Sequence, residues 1–278
     1  MPKHPFLQLD VFSAVPFKGN PLAVIAEADG LGDEQMRAIA NWTNLSETTF
    51  LSRPKDSAAD YRVRIFTPQR ELPFAGHPTL GSCQVWLALG PKPKGDVVIQ
   101  ECGAGLVRIK RDGARLAFAA PPLRRTGEVA PDLKARIARS LGIAEDAIKA
   151  AQWVDNGPGW VAVMLGSRSE LLNLRQDASV LPDQSLGAVA PWDVTNDGTE
   201  AQFEVRAFMG RGDEDPVTGS LNASLAQWLI GAGLAPPRYV AAQGTVLSRA
   251  GRVHVAQEGD AIWIGGDVTT CVSGTINL

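Results

Sequence analysis

Three short sequence patterns occur twice in this 278-residue chain, and they recur in the same order. Gly19-Asn20-Pro21-Leu22-Ala23-Val24-Ile25 is a turn feeding an apolar run, and Asn156-Gly157-Pro158-Gly159-Trp160-Val161-Ala162-Val163-Met164 has the same shape. Arg64-Ile65-Phe66 is matched by Arg206-Ala207-Phe208. Each of these runs leads to a proline-containing turn, Gly76-His77-Pro78-Thr79-Leu80-Gly81-Ser82 in the first half and Glu214-Asp215-Pro216-Val217-Thr218-Gly219-Ser220 in the second. An apolar helical pattern follows both turns. One such pair can arise by chance, but three in register point to a duplicated unit. The repeat thus restricts the chain to folds built from two related lobes, with Pro121-Pro122 as the expected crossing between them.

Local periodicity fills in the lobes. Alternating or β-branched runs predict strands at 7–12, 48–51, 61–66, 97–100, 105–111, 160–165, 203–208, 252–256 and 261–264. Helical patterns fall at 33–42, 79–89, 131–140 and 219–230. Many strands with one long apolar helix per half predict an α+β chain, each lobe a curved sheet wrapped about a central helix. The length suits two domains or one large one and is ample for burying a core without cross-links.

Several functional classes are disfavoured by what the chain contains. Its formal net charge is −3 and no Lys/Arg run stands out, which argues against nucleic acid or an anionic membrane as partner. Cys83, Cys102 and Cys271 form an odd, sparse set with no CxxC, as expected in a reducing compartment. Met1 to Asp10 reads as a lead into a strand and not as a secretory leader, and no apolar stretch approaches a membrane span of about 18 residues. A cytoplasmic protein is expected. The three histidines, His4, His77 and His254, offer no H-x-x-x-H pair for zinc, and Walker A and Rossmann glycine patterns are missing. Neither a metal nor another cofactor is therefore expected.

The proline turns are the candidate site. Proline suits the first helical position and Asp is a preferred cap, so His77-Pro78 and Asp215-Pro216 read as helix starts. The small residues that follow, Thr79 and Gly81 in one and Thr218, Gly219 and Ser220 in the other, leave amide N–H groups uncovered. Such an end binds a carboxylate or phosphate without a lysine. Lobes related by a pseudo-twofold axis would bring both helix ends to one cleft, with a small acid between them. In this alignment His77 and Asp215 occupy the same place in the repeat. Asp there could simply be a cap, but His is a poor one. Glu47, in Asn44-Leu45-Ser46-Glu47-Thr48-Thr49-Phe50, is either a surface carboxylate or a general acid/base, which requires burial.

Taken together, these residues resemble the phenazine biosynthesis (PhzF-like) family. The matching pieces are Asp10-Val11-Phe12, Phe17-x-Gly19-Asn20-Pro21-Leu22-Ala23-Val24, Asn44-Leu45-Ser46-Glu47-Thr48 and Arg64-x-Phe66-Thr67-Pro68. They continue through Glu71-Leu72-Pro73-Phe74-Ala75-Gly76-His77-Pro78-Thr79-Leu80-Gly81, Arg206-x-Phe208, Glu214 to Ser220, and Gln243-Gly244, all in family order. The resemblance implies a diaminopimelate epimerase-like fold: two pseudo-symmetric lobes, each a mostly antiparallel sheet or barrel around a central helix. It implies lobes at 1–120 and 121–267, with a C-terminal strand, 268–278, returning to the first, and a homodimer. It also implies a cofactor-free isomerase or epimerase acting on an acid similar to dihydro-hydroxyanthranilate. Glu47 would be the acid/base, and Gly76, His77, Asp215, Gly219 and Ser220 would bind substrate. A two-thiol racemase is disfavoured because the equivalent turns carry His77 and Asp215. A Ser220-His77-Asp215 hydrolase is disfavoured because there is no G-x-S-x-G elbow. A non-catalytic binding or interaction role on the same fold remains the alternative.

Overall fold

The computed structural model describes residues 2–278 and divides into two compact units, Met1–Ala119 with Gly265–Leu278, and Ala120–Ile264. The chain is of the α+β class. The first unit contains strands β1 (Lys3–Val11), β2 (Asn20–Ile25), β3 (Glu47–Ser52), β4 (Tyr61–Phe66), β5 (Glu71–Leu72), β6 (Val98–Cys102), β7 (Gly105–Asp112) and β8 (Arg115–Ala119), with helices α1 (Asp33–Thr43) and α2 (Gly76–Ala88). The second contains β9 (Arg125–Glu128), β10 (Ala150–Asp155), β11 (Val161–Met164), β12 (Leu186–Pro191), β13 (Phe203–Phe208), β14 (Glu214–Asp215), β15 (Arg238–Gln243) and β16 (Gly251–Glu258). Its helices are α3 (Pro131–Leu141), α4 (Arg168–Leu172), α5 (Val194–Asp197) and α6 (Gly219–Gly231). β17 (Ala261–Gly266) spans the division, and β18 (Val268–Asn277) pairs antiparallel with β1 inside the first unit.

The duplication read from short motifs extends to the strand pairings. In the first unit the sheet runs β18-β1-β2-β3-β4-β6-β7-β8, antiparallel except where β2 meets β3 and β4 meets β6. In the second it runs β9-β10-β11-β12-β13-β15-β16, antiparallel except where β11 meets β12 and β13 meets β15. Parallel neighbours need a crossover, usually a helix. α1 and α2 supply the two crossovers in the first unit, while α4 and α6 lie in those of the second.

The central helices are buried because they have almost no polar face. Every residue of α2 from Gly76 to Cys83 is buried, and the helix touches β1, β2, β3, β4, β6, β8 and β18. A helix apolar all round belongs inside. Gly81 permits the close approach, since a Cβ there would stand 2.4 Å from the Leu22 side chain. The second unit solves the same problem with the glycine on the strand: a Cβ at Gly187 of β12 would stand 2.5 Å from Leu221 of α6.

An arginine–glutamate fork is also duplicated. Arg64 donates to both carboxylate oxygens of Glu71 at 2.7 and 2.6 Å and lies over the Phe66 ring. Arg206 does the same with Glu214 at 2.9 and 2.7 Å and lies over Phe208. Alternation correctly located β4 and β13. It did not reveal β12, because the wholly buried run Leu186-Gly187-Ala188-Val189-Ala190 carries no polar partner residues to alternate with.

Candidate active site

Glu47 is placed by the end of α1 and the start of β3. Asn44 closes α1 in the left-handed conformation, φ 52°, and Glu47 opens the strand shortly after. Side chains alternate along a strand, so Glu47 and Thr49 share a face. That face is turned to α2: Ser82 Oγ donates to Thr49 Oγ1 at 3.0 Å, and Glu47 Oε2 lies 3.2 Å from Nε2 of His77. The two side chains are only 15% and 6% exposed. The approach is close but not aligned as a hydrogen bond. On its other side, His77 Nδ1 is 3.3 Å from the side-chain amide nitrogen of Asn20.

Burial pushes the His77 imidazole down to about 3. The ring is thus neutral at pH 7, and its contact with Glu47 is not an ion pair. This has a consequence for stability. In the unfolded chain a histidine titrates near 6.5, so below that pH the unfolded state takes up a proton that the folded ring refuses. The stability contributed by the neutral ring is full above about pH 6.5 and falls as pH drops towards 3, by at most about 1.4 kcal/mol per pH unit. Urea unfolding at pH 7 and pH 5 is expected to show a smaller decline for His77→Gln than for the wild type. Equal declines would mean that the folded ring titrates normally.

The second unit holds Asp215 in a network built around one buried amide. Gln243, 1% exposed, accepts through Oε1 from the Thr218 amide at 3.0 Å and from Asn222 Nδ2 at 2.9 Å. A backbone N–H can only donate, which fixes the amide's orientation. Its Nε2 then donates to the Asp215 carbonyl and to Thr218 Oγ1, both at 3.0 Å. With one lone pair of the Thr218 hydroxyl so occupied, its hydrogen is given to Asp215 Oδ2 at 2.5 Å. Ser220, half-buried, accepts from the Trp160 indole at its Oγ, 3.1 Å, and from Asn156 Nδ2 at its carbonyl, 2.9 Å. An indole N–H can only donate, so the Ser220 hydroxyl is the acceptor in this contact. Replacing Gln243 by Leu would deprive two buried donors, the Thr218 amide and an Asn222 N–H, of this acceptor. It is expected to lower the unfolding free energy by roughly 2–4 kcal/mol, measurable by urea denaturation; a change below about 1 kcal/mol would show that the network readily finds other partners.

These positions correct the alignment of the repeat. Neither His77 nor Asp215 caps its helix: α2 is entered from Ala75, making His77 its second residue, and α6 is entered from Thr218. Asp215 lies on β14, the counterpart of β5, and its carboxylate is engaged by Thr218. Matching the forks Arg64–Glu71 and Arg206–Glu214, then the helix starts Gly76 and Gly219, pairs His77 with Ser220 and Asp215 with Leu72. Strand register puts Cys102, not a second glutamine, opposite Gln243 in the repeat, since Tyr61 faces Gln100 while its counterpart Phe203 faces Ala241. The first unit instead uses Gln100, whose Nε2 donates to Thr79 Oγ1 at 3.1 Å while its Oε1 accepts from Tyr61 at 2.8 Å. Aligning the prolines misled because the stretch between β14 and α6 places its proline earlier than the one in α2. Gly76 and Gly219 are both buried at their helix starts. The roles of Asn20, Asn156, Thr218 and Gln243 were missed, although all four lie in or beside the motifs. A polar residue's partner across the sheet leaves no local signal.

Burial pushes the Cys83 thiol up to about 12, so it stays protonated inside α2. Among the described residues no group of three or more His, Cys, Asp or Glu is placed to hold a metal ion, and no helix is long and apolar enough to cross a membrane.

Comparison with known proteins gives this geometry a family context. The family model described as "Phenazine biosynthesis-like protein" matches residues 9–274. A curated relative from Schizosaccharomyces pombe, named antisense-enhancing sequence 1, is 38% identical over 99% of both chains. The trans-2,3-dihydro-3-hydroxyanthranilate isomerase of Pseudomonas aeruginosa is 32% identical over 92% of this chain and 91% of its own. Among solved structures, a phenazine biosynthesis protein of the PhzF family from Enterococcus faecalis superimposes with TM-score 0.82 at 25% identity, covering 100% of both chains.

Proposed function

The chain belongs to the phenazine biosynthesis-like family and is an isomerase of the PhzF type, and from that premise we propose that it works without a cofactor, with Glu47 carrying a proton between two carbons of a small unsaturated carboxylic acid. The substrate is of the class named for its relatives, a cyclic amino- or hydroxy-acid similar to trans-2,3-dihydro-3-hydroxyanthranilate. The observation that carries this reading is the withdrawn Glu47–His77 pair at 3.2 Å.

The reaction balances without an added reagent. Glu47 takes a proton from carbon, and the C–H electron pair moves into the conjugated system towards the carboxylate. The same carboxyl then returns the proton to a different carbon, and the double bond ends in a new place. His77, neutral and buried at the first turn of α2, supplies a hydrogen bond, and the first amides of that turn, which have no partner within the helix, favour developing negative charge. Gly76 keeps the turn open to a ligand, while Asp215, with Gly219 and Ser220, recognises the substrate's polar groups.

One base, not two, is the arrangement this reading needs. Thr48 is paired with Phe66 and Leu186 with Phe208, which makes Ser185 the counterpart of Glu47 in the second unit. The repeat therefore supplies no second carboxylate at that place. Proton removal and return would then take place on a single face of the substrate.

The test is solvent exchange. The protein is incubated in D2O with trans-2,3-dihydro-3-hydroxyanthranilate and with a panel of cyclic unsaturated amino- and hydroxy-acids, and 1H NMR follows deuterium entering at carbon. Exchange that depends on Glu47 supports the proposal. No exchange with any of them would favour a binding role instead.

A further inference from the structure

We propose that Asn20 is a positioning residue that holds His77 in its Nε2–H tautomer, making the ring a fixed hydrogen-bond donor and not a second proton carrier. The inference deepens the Glu47–His77 reading and rests on it for its catalytic meaning. It begins from two contacts on opposite edges of one ring. At 3.3 Å from Nδ1 stands the Asn20 Nδ2, an –NH2 group that can only donate, so Nδ1 must accept. That leaves the hydrogen on Nε2, which has Glu47 Oε2 3.2 Å away, close but not aligned as a hydrogen bond, and a carboxylate oxygen there is compatible with a donor and not with an acceptor. A neutral imidazole has a single N–H. The Asn20 contact thus specifies the tautomer, and the Glu47 oxygen on the other edge is compatible with it.

The surroundings make this a built arrangement. Asn20 is fully buried at the start of β2, opposite Val11 of β1. Its position is set by the turn before it, where the Gly19 amide donates to Asp10 Oδ2 at 2.8 Å and a Cβ at Gly19 would come within 2.2 Å of the Val11 carbonyl oxygen. His77 Nε2 is itself buried and has no aligned partner in the structure, at the opening turn of a 13-residue helix. A donor so placed is held for an oxygen of the substrate or for Glu47 as it turns. Burial, which keeps the ring uncharged at pH 7, is consistent with this role.

The chemistry also explains why position 20 carries an amide. A carboxylate there would accept from Nδ1, leaving the ring between two acceptors and favouring protonation of both nitrogens. Glu47 would then face a cation and become a weaker base.

The experiment is long-range 1H–15N NMR on the full chain labelled with 15N-histidine, at pH 7 and without substrate, with His77 assigned by its disappearance in His77→Gln. The expected spectrum shows Nδ1 in the unprotonated range and Nε2 in the protonated range. A protonated Nδ1, or a ring protonated at both nitrogens, in the wild type would overturn the proposal. In Asn20→Asp the Nδ1 resonance is expected to move into the protonated range, and an unchanged pattern in that variant would also overturn it. Should Asn20→Asp fail to fold, the wild-type spectrum decides alone. The predicted tautomer together with no deuterium exchange into any acid would sustain this inference while removing the acid/base reading.

Discussion

Glu47→Gln is expected to cut deuterium exchange into the substrate acid by about 10²–10⁴-fold, the usual contribution of a positioned general acid/base. The amide matches the carboxyl in size and can still meet the neutral His77 ring across the 3.2 Å contact. Substrate affinity and the midpoint of thermal unfolding should therefore stay close to wild type, so the loss appears in kcat and not in KM. The counterpart of Glu47 in the repeat is Ser185, so there is no equivalent carboxylate from which to recover activity. Failure of the Glu47→Gln protein to fold would make this residue structural. Full exchange in that variant would place the base elsewhere.

The second large effect is on stability and exploits the duplication. Arg206→Leu is expected to cost about 3–5 kcal/mol, because removing one member of a buried pair leaves the other charge without compensation. Arg206 and Glu214 have side chains only 7% and 12% exposed. The same guanidinium also donates to the Leu171 and Leu174 carbonyls, at 3.1 and 2.9 Å, and these bonds would be lost with it. Arg64→Leu removes the same fork in the first unit, but Glu71 and Asp33 are 41% and 68% exposed. Water can replace the lost donor there, and the expected cost is about 1 kcal/mol or less. Urea unfolding of the two variants should separate them clearly. Equal costs would mean that exposure does not govern the value of this motif.

The Arg-x-Phe runs illustrate how far local sequence can be read. Arginine and phenylalanine two apart on a strand share a face, so stacking of the guanidinium on the ring is a local consequence of the strand. The difference in burial between Arg64 and Arg206 is not local. It arises because α4 and the turn after it bring carbonyls to Arg206, whereas Arg64 meets Asp33 at an exposed surface. The central helices were legible for a similar reason. The runs 79–89 and 219–230 are apolar on all sides and could only be buried, but the first turn of α2 lay outside the pattern because Gly76, His77 and Pro78 are poor helix formers.

By itself the sequence determined the duplication, the α+β class, the family and the short roster of polar residues beside each helix start. Those properties are carried by residue types at fixed chain separations, and a strand or a helix imposes its period on neighbouring residues alone. Only the tertiary structure decided that Glu47 meets His77, that Asn20 holds the ring's far side, that Gln243 orients Asp215 through Thr218, and that His77 pairs with Ser220 in the repeat. Each depends on which strands lie side by side and where a helix begins, and these are set by packing between segments distant in the chain.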